Sequence, residues 1–288
     1  MLKLAMSTDT KPLRHTVMDS SLSTGSKYTA VEPWRCTAVN LVADTDWLQA
    51  LEARHLADLR FPEVTRALRA LSSSYVERRS GLVGGAPLTS SGKRAAFALY
   101  YGPLHFLLVQ SIVAALPRAA DVSGTLVELG CGTGAASAGW AVASAGRLAV
   151  LGLDRHPWAV AEAAWTFRTL GLAGRSRQAD LTHGALPRAD AYLAAFTLNE
   201  LTDIARERLK HALLERCRAG AALLVVEPIA RFVTPWWDQW VPEVLAAGGR
   251  ADQWRFSVEP PGLVRKLARA AGLSVRALPA RSFWIPHR

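Results

Sequence analysis

The chain has 288 residues, of which 50% are hydrophobic and 20% charged, with 10 Trp; this excludes wholesale disorder and suffices for a large domain with a sizeable core. Its longest apolar run, residues 106–116, is broken by Gln110 and Ser111 and is too short to cross a bilayer. Cys36, Cys131 and Cys217 lack the spacing of a disulfide framework or a Cys-based zinc site, so no metal centre and a reducing, cytoplasmic setting are expected. The net charge of +10, from 34 Lys+Arg against 24 Asp+Glu, suits an acidic partner such as RNA, phosphate or an anionic metabolite. An Arg- and Ala-rich composition gives the same surplus without any partner.

Residues 1–35 are polar, rich in Ser, Thr and Lys, and aperiodic, and read as a flexible tail. Their texture resembles an organelle transit peptide only in its excess of bases and hydroxyls. Residues 36–120 read as a helical cap region. Trp47, Leu48, Leu51, His55, Leu56 and Leu59 recur at three- and four-residue spacing, and Val64, Leu68 and Leu71 continue the pattern after Pro62. A glycine-rich loop from Arg78 to Gly92 precedes a second helical stretch, from about Lys93 to Leu116, dented at Gly102-Pro103.

After Asp121 short β-rich runs alternate with helix-length segments. Strands are expected over 125–129, 148–153, 176–179, 189–196 and 221–226, with helices over 135–144, 157–170 and 204–217 between them. That rhythm predicts an α/β fold with a parallel sheet covered by helices on both faces, occupying residues 121–288. Residues 229–261, with Trp236, Trp237, Trp240 and Trp254, break the rhythm and read as a Trp-rich helical insertion. A helix over 261–272 follows, then two short strands, 274–278 and 282–285, as a hairpin around Pro279.

The sharpest local feature is Glu128-Leu129-Gly130-Cys131-Gly132-Thr133-Gly134, leaving a strand and entering a helix. Glycines permit a tight turn, and the helix N-terminus offers free N–H groups to an anionic group. The spacing alone also satisfies a dinucleotide fingerprint, which leaves a nicotinamide oxidoreductase as an alternative. Three acids narrow the choice. Glu128 can hold an ammonium, Asp154 at the second strand's end can accept both ribose hydroxyls, and Asp180 at the third can meet an adenine amino group. Each could instead be a helix cap or a solvated carboxylate. Ammonium, ribose and adenine together describe S-adenosylmethionine better than a dinucleotide.

Residues 125–228, with VELGCGTGAAS, LGLDRHP, QADL, AYLAAFTLNEL and LLVVEP in order, resemble the class I S-adenosylmethionine-dependent methyltransferases. The resemblance implies a doubly wound, seven-stranded, mostly parallel sheet of order 3-2-1-4-5-7-6 with the last strand antiparallel. It assigns Gly130, Gly132 and Gly134 to the methionine end of the cofactor and Asp154 to the ribose, with Arg155 also counted among the cofactor-binding residues. Asp180 and Leu181 go to the adenine, and Phe196 and Thr197 to the neighbourhood of the sulfonium.

Methyl transfer is an in-line displacement that chiefly needs orientation, with a base where the nucleophile must lose a proton. Asn199 could orient an acceptor or cap the next helix, and Glu200 could be the base. His105, in the aromatic stretch Tyr100–Phe106 with Tyr101, could be a base or a core histidine. Trp236, Trp237 and Trp240 could form a platform for an aromatic acceptor or pack against the domain. His183 reads as a surface residue.

SYVERRSGLVGG, AAFALYYGPLHFLLVQSIVAAL, VELGCGTG, FTLNEL and LLVVEP are also similar in order to the ribosomal-small-subunit-associated methyltransferase-like family, although the cysteine cluster many members carry is missing. That resemblance implies ribosomal RNA or a ribosome-associated target as acceptor. A small aromatic or heterocyclic acceptor and a catalytically silent RNA-binding assembly factor are the alternatives. A closed, Trp-lined pocket would favour the small molecule; an open mouth flanked by Arg78, Arg79, Lys93 and Arg94 would favour RNA.

Overall fold

The computed structural model describes residues 44–77 and 88–288. The tail over 1–35 and the arginines at 78 and 79 lie outside the described residues. Helices α1 (Thr45–His55) and α2 (Phe61–Glu77) follow the predicted periodicity, with the Asp44 side chain accepting a hydrogen bond from Trp47 N to cap α1. Helix α3 (Ser91–Ala96) runs through a π turn at Phe97–Tyr101 into α4 (Gly102–Ala115). Pro103 cannot donate to the helical ladder, and just before it the bonding slips, with Gly102 N donating to Phe97 O.

The joined stretch Ser91–Ala115 is 25 residues long and apolar enough to cross a membrane by length and composition. Nearly all of it is buried inside this chain, as expected of a helix apolar on every side. The sequence understates this helix, because the break at Gly102-Pro103 and the polar pair Gln110-Ser111 hide its continuity.

The sheet strands are β1 (Gly124–Leu129), β2 (Leu148–Asp154), β3 (Gly174–Gln178), β4 (Ala191–Ala195), β5 (Ala222–Glu227), β6 (Arg250–Ser257) and β7 (Ala277–Ile285). Their order is β3-β2-β1-β4-β5-β7-β6, and β7 runs antiparallel between β5 and β6. This is the architecture the resemblance implies, the class I methyltransferase fold. In β5, Ala222, Leu224 and Val226 enter one core while Leu223 and Val225 enter the other, so a continuous apolar run serves both faces.

One face is covered by α4, α5 (Ala135–Ala143), α6 (Pro157–Thr169) and α9 (Gly262–Ala271), together with α1 and α2. The other is covered by α7 (Asp203–Arg218) and α8 (Trp237–Ala246). The backbones of α4 and α5 touch at Gly139, where a Cβ would lie 2.4 Å from Phe106 O. The helical N-terminal region is therefore continuous with the sheet's core rather than perched on it.

Two expectations are corrected. Residues 229–261 hold α8 and the edge strand β6, regular parts of the fold rather than an insertion. The closing hairpin is a single nine-residue strand, β7, that passes through Pro279. A proline is tolerated there because β5 pairs with β7 only from Arg281 to Ile285, so at Pro279 β7 has β6 on one side, at Arg255, and no strand on the other.

Candidate functional site

The C-terminal ends of β1, β2 and β4 line a cleft that is open to solvent at its mouth. Its floor is the glycine loop. Gly130, Gly132 and Gly134 all have positive φ, at 69°, 52° and 73°. At Gly130 a Cβ would stand 2.5 Å from the Thr197 side chain, so no other residue fits that turn. The loop delivers the chain to the start of α5, whose N-cap is Gly134 with no side-chain cap bond. Ala135 and Ala136 line the cleft there, presenting amides of the first helical turn that have no intrahelical acceptor.

The three predicted acids all line the cleft, but in different states. Asp154 Oδ2 accepts from Gly132 N at 2.9 Å and its Oδ1 from His156 N at 2.8 Å, so it ties the end of β2 to the glycine loop. A carboxylate has about four acceptor sites, which leaves capacity for hydroxyl donors. Glu128 is buried, and its Oε2 accepts from both the amide and the hydroxyl of Ser137. Burial pushes its carboxyl up to about 8, against those two hydrogen bonds. Asp180 is exposed and caps its own turn, accepting from Thr182 N and Oγ1, bonds that hold its carboxyl below the usual range. Arg155 and Leu181 also line the cleft.

The opposite wall is built from three separate segments. Phe97 and His105 come from the π turn and α4, Leu88 from the turn ahead of α3, and Phe196, Thr197, Glu200 and Leu201 from the segment after β4. Phe196 has φ of 59°, a left-handed conformation that non-glycine residues rarely adopt and that marks local strain. Its ring stacks on His105 with centroids 4.5 Å apart and planes at 25°. His105 also meets Phe97 edge-on at 6.2 Å. Burial pushes the His105 imidazole down to about 3, so it is neutral. Burial raises the Glu200 carboxyl to about 7, with Arg155 opposing and Asp154 adding to the rise.

Several predicted residues are placed elsewhere. Trp236, Trp237 and Trp240 are buried in the core under α7 and α8 and line no part of the cleft. Trp237 stacks on Phe283 with centroids 3.7 Å apart, and Arg281 lies 4.5 Å over its ring. The expected acceptor platform is thus corrected to a packing cluster, since that helical face meets the sheet. Tyr101 is buried beneath His105, with ring centroids 6.2 Å apart, and does not reach the cleft. Asn199 is also outside the lining, and its Oδ1 is buried without a partner.

Thr197 reaches the cleft, but its hydroxyl is donated to Leu129 O at 2.8 Å, joining the ends of β1 and β4. His183 is exposed, as expected, near Asp180. Arg94 donates to Leu88 O and lies near the Trp158 ring, so it is occupied in supporting the wall. Leu88, Phe97 and Leu201 also belong to the wall, although none was expected there. Phe97 had a signal: Phe97, Tyr101 and His105 are spaced by four and form one helical stripe.

No family model matches this sequence, and no curated protein matches it. Solved structures do. The mitomycin 7-O-methyltransferase MmcR is 18% identical, with 86% of this chain and 74% of that chain covered and a TM-score of 0.49. The plantazolicin methyltransferase BpumL, in complex with SAH, is 11% identical over 83% of this chain and 100% of that chain, with a TM-score of 0.47. The tRNA (uracil-54, C5)-methyltransferase of Pyrococcus abyssi is 12% identical over 62% of this chain and 37% of that chain, with a TM-score of 0.39.

Proposed function

We propose that this chain is an S-adenosylmethionine-dependent methyltransferase acting on a small acceptor with an aromatic or apolar body. The observation that carries the reading is the division of one cleft into a backbone-and-acid half and an aromatic half that meet at Phe196. The first half fits the cofactor. The amides of Ala135 and Ala136 suit its carboxylate. Glu128 suits its ammonium, a cation that would draw the raised carboxyl back to its charged form, Asp154 suits its ribose hydroxyls, and Asp180 with the Leu181 backbone its adenine. When bound, that group supplies an electrophilic methyl carbon on a sulfonium.

In the second half Phe97 and Phe196 exclude water and hold an apolar body, with Leu88 and Leu201 at its sides. His105, kept neutral by burial, orients the acceptor by hydrogen bonding through a ring nitrogen. Glu200, poised near neutrality, takes the proton that the acceptor sheds. Phe196 fixes the boundary between the halves, stacked on His105 at a strained backbone position.

A second reading, an RNA or ribosome-associated acceptor, draws on the net charge of +10 and on Arg155 and Arg177, both exposed on the β2–β3 side of the sheet. The test is to incubate the protein with radiolabelled cofactor and a cell extract divided into RNA, protein and metabolite fractions. Label is expected among the metabolites. Label in RNA would put the second reading in its place, and label nowhere, with no cofactor bound in calorimetry, would end both.

A further inference from the structure

The segment after β4 makes a single 3-10 turn, Leu198–Glu200, before α7 begins. Of these three residues only Glu200 lines the cleft. The turn is gripped from both sides by buried groups that line no part of the cleft themselves. Glu227, the last residue of β5, is 0% exposed, and its Oε1 accepts from Leu198 N at 2.9 Å and Asn199 N at 3.4 Å. Arg206, in the first turns of α7, is 6% exposed, and its Nη1 donates to Leu198 O at 3.2 Å and Leu201 O at 3.0 Å. Arg206 Nη2 donates to Asp203 and the guanidinium lies 5.2 Å over the Trp236 ring, while its Nε is buried without a partner.

Burying a carboxyl and a guanidinium is costly unless their hydrogen bonds compensate, and here both are directed at the backbone of one short turn. A helix entry alone would not require them, because Thr202 already caps α7 by accepting from Ala205 N. What the pair adds is a fixed orientation for the turn whose one cleft-facing side chain is Glu200. The geometry points to Glu227 and Arg206 as positioning residues, a two-sided clamp that sets Glu200 against the acceptor; this rests on the methyl-transfer reading above. Neither residue touches cofactor or acceptor.

The clamp is tested by E227A, E227Q, R206A and R206K, with cofactor affinity measured by calorimetry and turnover at saturating cofactor. E227A and R206A are expected to lower kcat about 100-fold, the scale of a displacement near 1 Å in a reacting group. Cofactor Kd should change by less than about threefold, since the cofactor's contacts lie on other elements. E227Q keeps an oxygen in place for both amides and should recover most of the rate; R206K keeps the charge but is shorter and lacks the planar fork that reaches the turn's carbonyls and Asp203 together, and should not. The inference is overturned if the alanine variants keep kcat within about threefold, if cofactor affinity falls in parallel with kcat, or if E227Q is as slow as E227A.

A readout independent of turnover is the carboxyl carbon resonance of Glu200, assigned with E200Q. It should titrate near 7 in the wild type. In E227A, or in R206K should E227A not fold, it should move towards the ordinary carboxylate range as the turn opens to water. An unmoved titration overturns the clamp even if no acceptor is methylated. A moved titration without methyl transfer overturns the functional reading and leaves the clamp standing.

Discussion

The two halves of the cleft are made in different ways. The half that fits the cofactor is backbone geometry: a loop of glycines, the free amides of α5, and one acid at each of three strand ends, all close in sequence to the strand that carries them. The half that fits the acceptor is a meeting of side chains from Leu88, Phe97 and His105 with Phe196, Glu200 and Leu201, about a hundred residues away. A bound group common to many proteins can be held by a local pattern. An acceptor particular to one protein needs a wall assembled by tertiary packing, and such a wall can change while the floor stays the same.

If that division is real, substitutions in the two halves must fail differently. The largest effect is expected at Glu200. Its carboxyl is raised to about 7, so as a base it is active only when deprotonated. For the wild type kcat/KM should rise with pH up to about 7 and then level off, falling about tenfold per unit below it. Glu200→Gln should remove that limb and lower turnover about 10²- to 10⁴-fold with cofactor affinity nearly unchanged. A pH profile in Glu200→Gln with the same limb as the wild type would assign the base elsewhere.

Gly130→Ala should act on the other half. The new Cβ meets the Thr197 side chain at 2.5 Å and the residue must hold φ of 69°. Strain and overpacking together should cost the fold about 2–4 kcal/mol in a denaturant titration, and cofactor binding should be lost with it. A fully stable variant that binds cofactor normally would mean the turn is not the rigid floor described above. Asp154→Ala is milder. Losing a charged acceptor should weaken cofactor binding by about 1–3 kcal/mol in calorimetry while acceptor KM stays put. Unchanged affinity would remove Asp154 from the ribose.

The same division explains what could be read before the structure. The strand–loop–helix pattern at Glu128–Gly134, the acids at strand ends and the alternation of strands with helices depend on near neighbours, and the sheet order followed from them. Where reading failed, a long-range partner decided the outcome. Asn199 could orient an acceptor in isolation, but Glu227 takes its backbone N–H, and its Oδ1 is buried outside the cleft lining. Thr197 lines the cleft, but which group takes its hydroxyl, the Leu129 carbonyl sixty-eight residues back, could not be read. Trp236, Trp237 and Trp240 share one face of α8, a pattern identical for a ligand platform and a packed core; only the position of Phe283 on β7 separates the two.

That last ambiguity yields the smallest effect and the cleanest contrast. Trp236 is buried, its indole N–H has no partner, and its ring lies between Trp240 and the Arg206 guanidinium. Trp236→Phe removes an unpartnered donor while giving up some ring area, two changes of opposite sign. The expected loss of stability is about 1 kcal/mol. Acceptor KM should not change, because the residue never reaches the cleft. A platform residue would behave the other way round, with stability kept and KM raised, because a base or aromatic ring stacked on it would lose about 1–3 kcal/mol of contact. Measuring both quantities on one variant therefore tells whether the tryptophans belong to the core or to the acceptor wall.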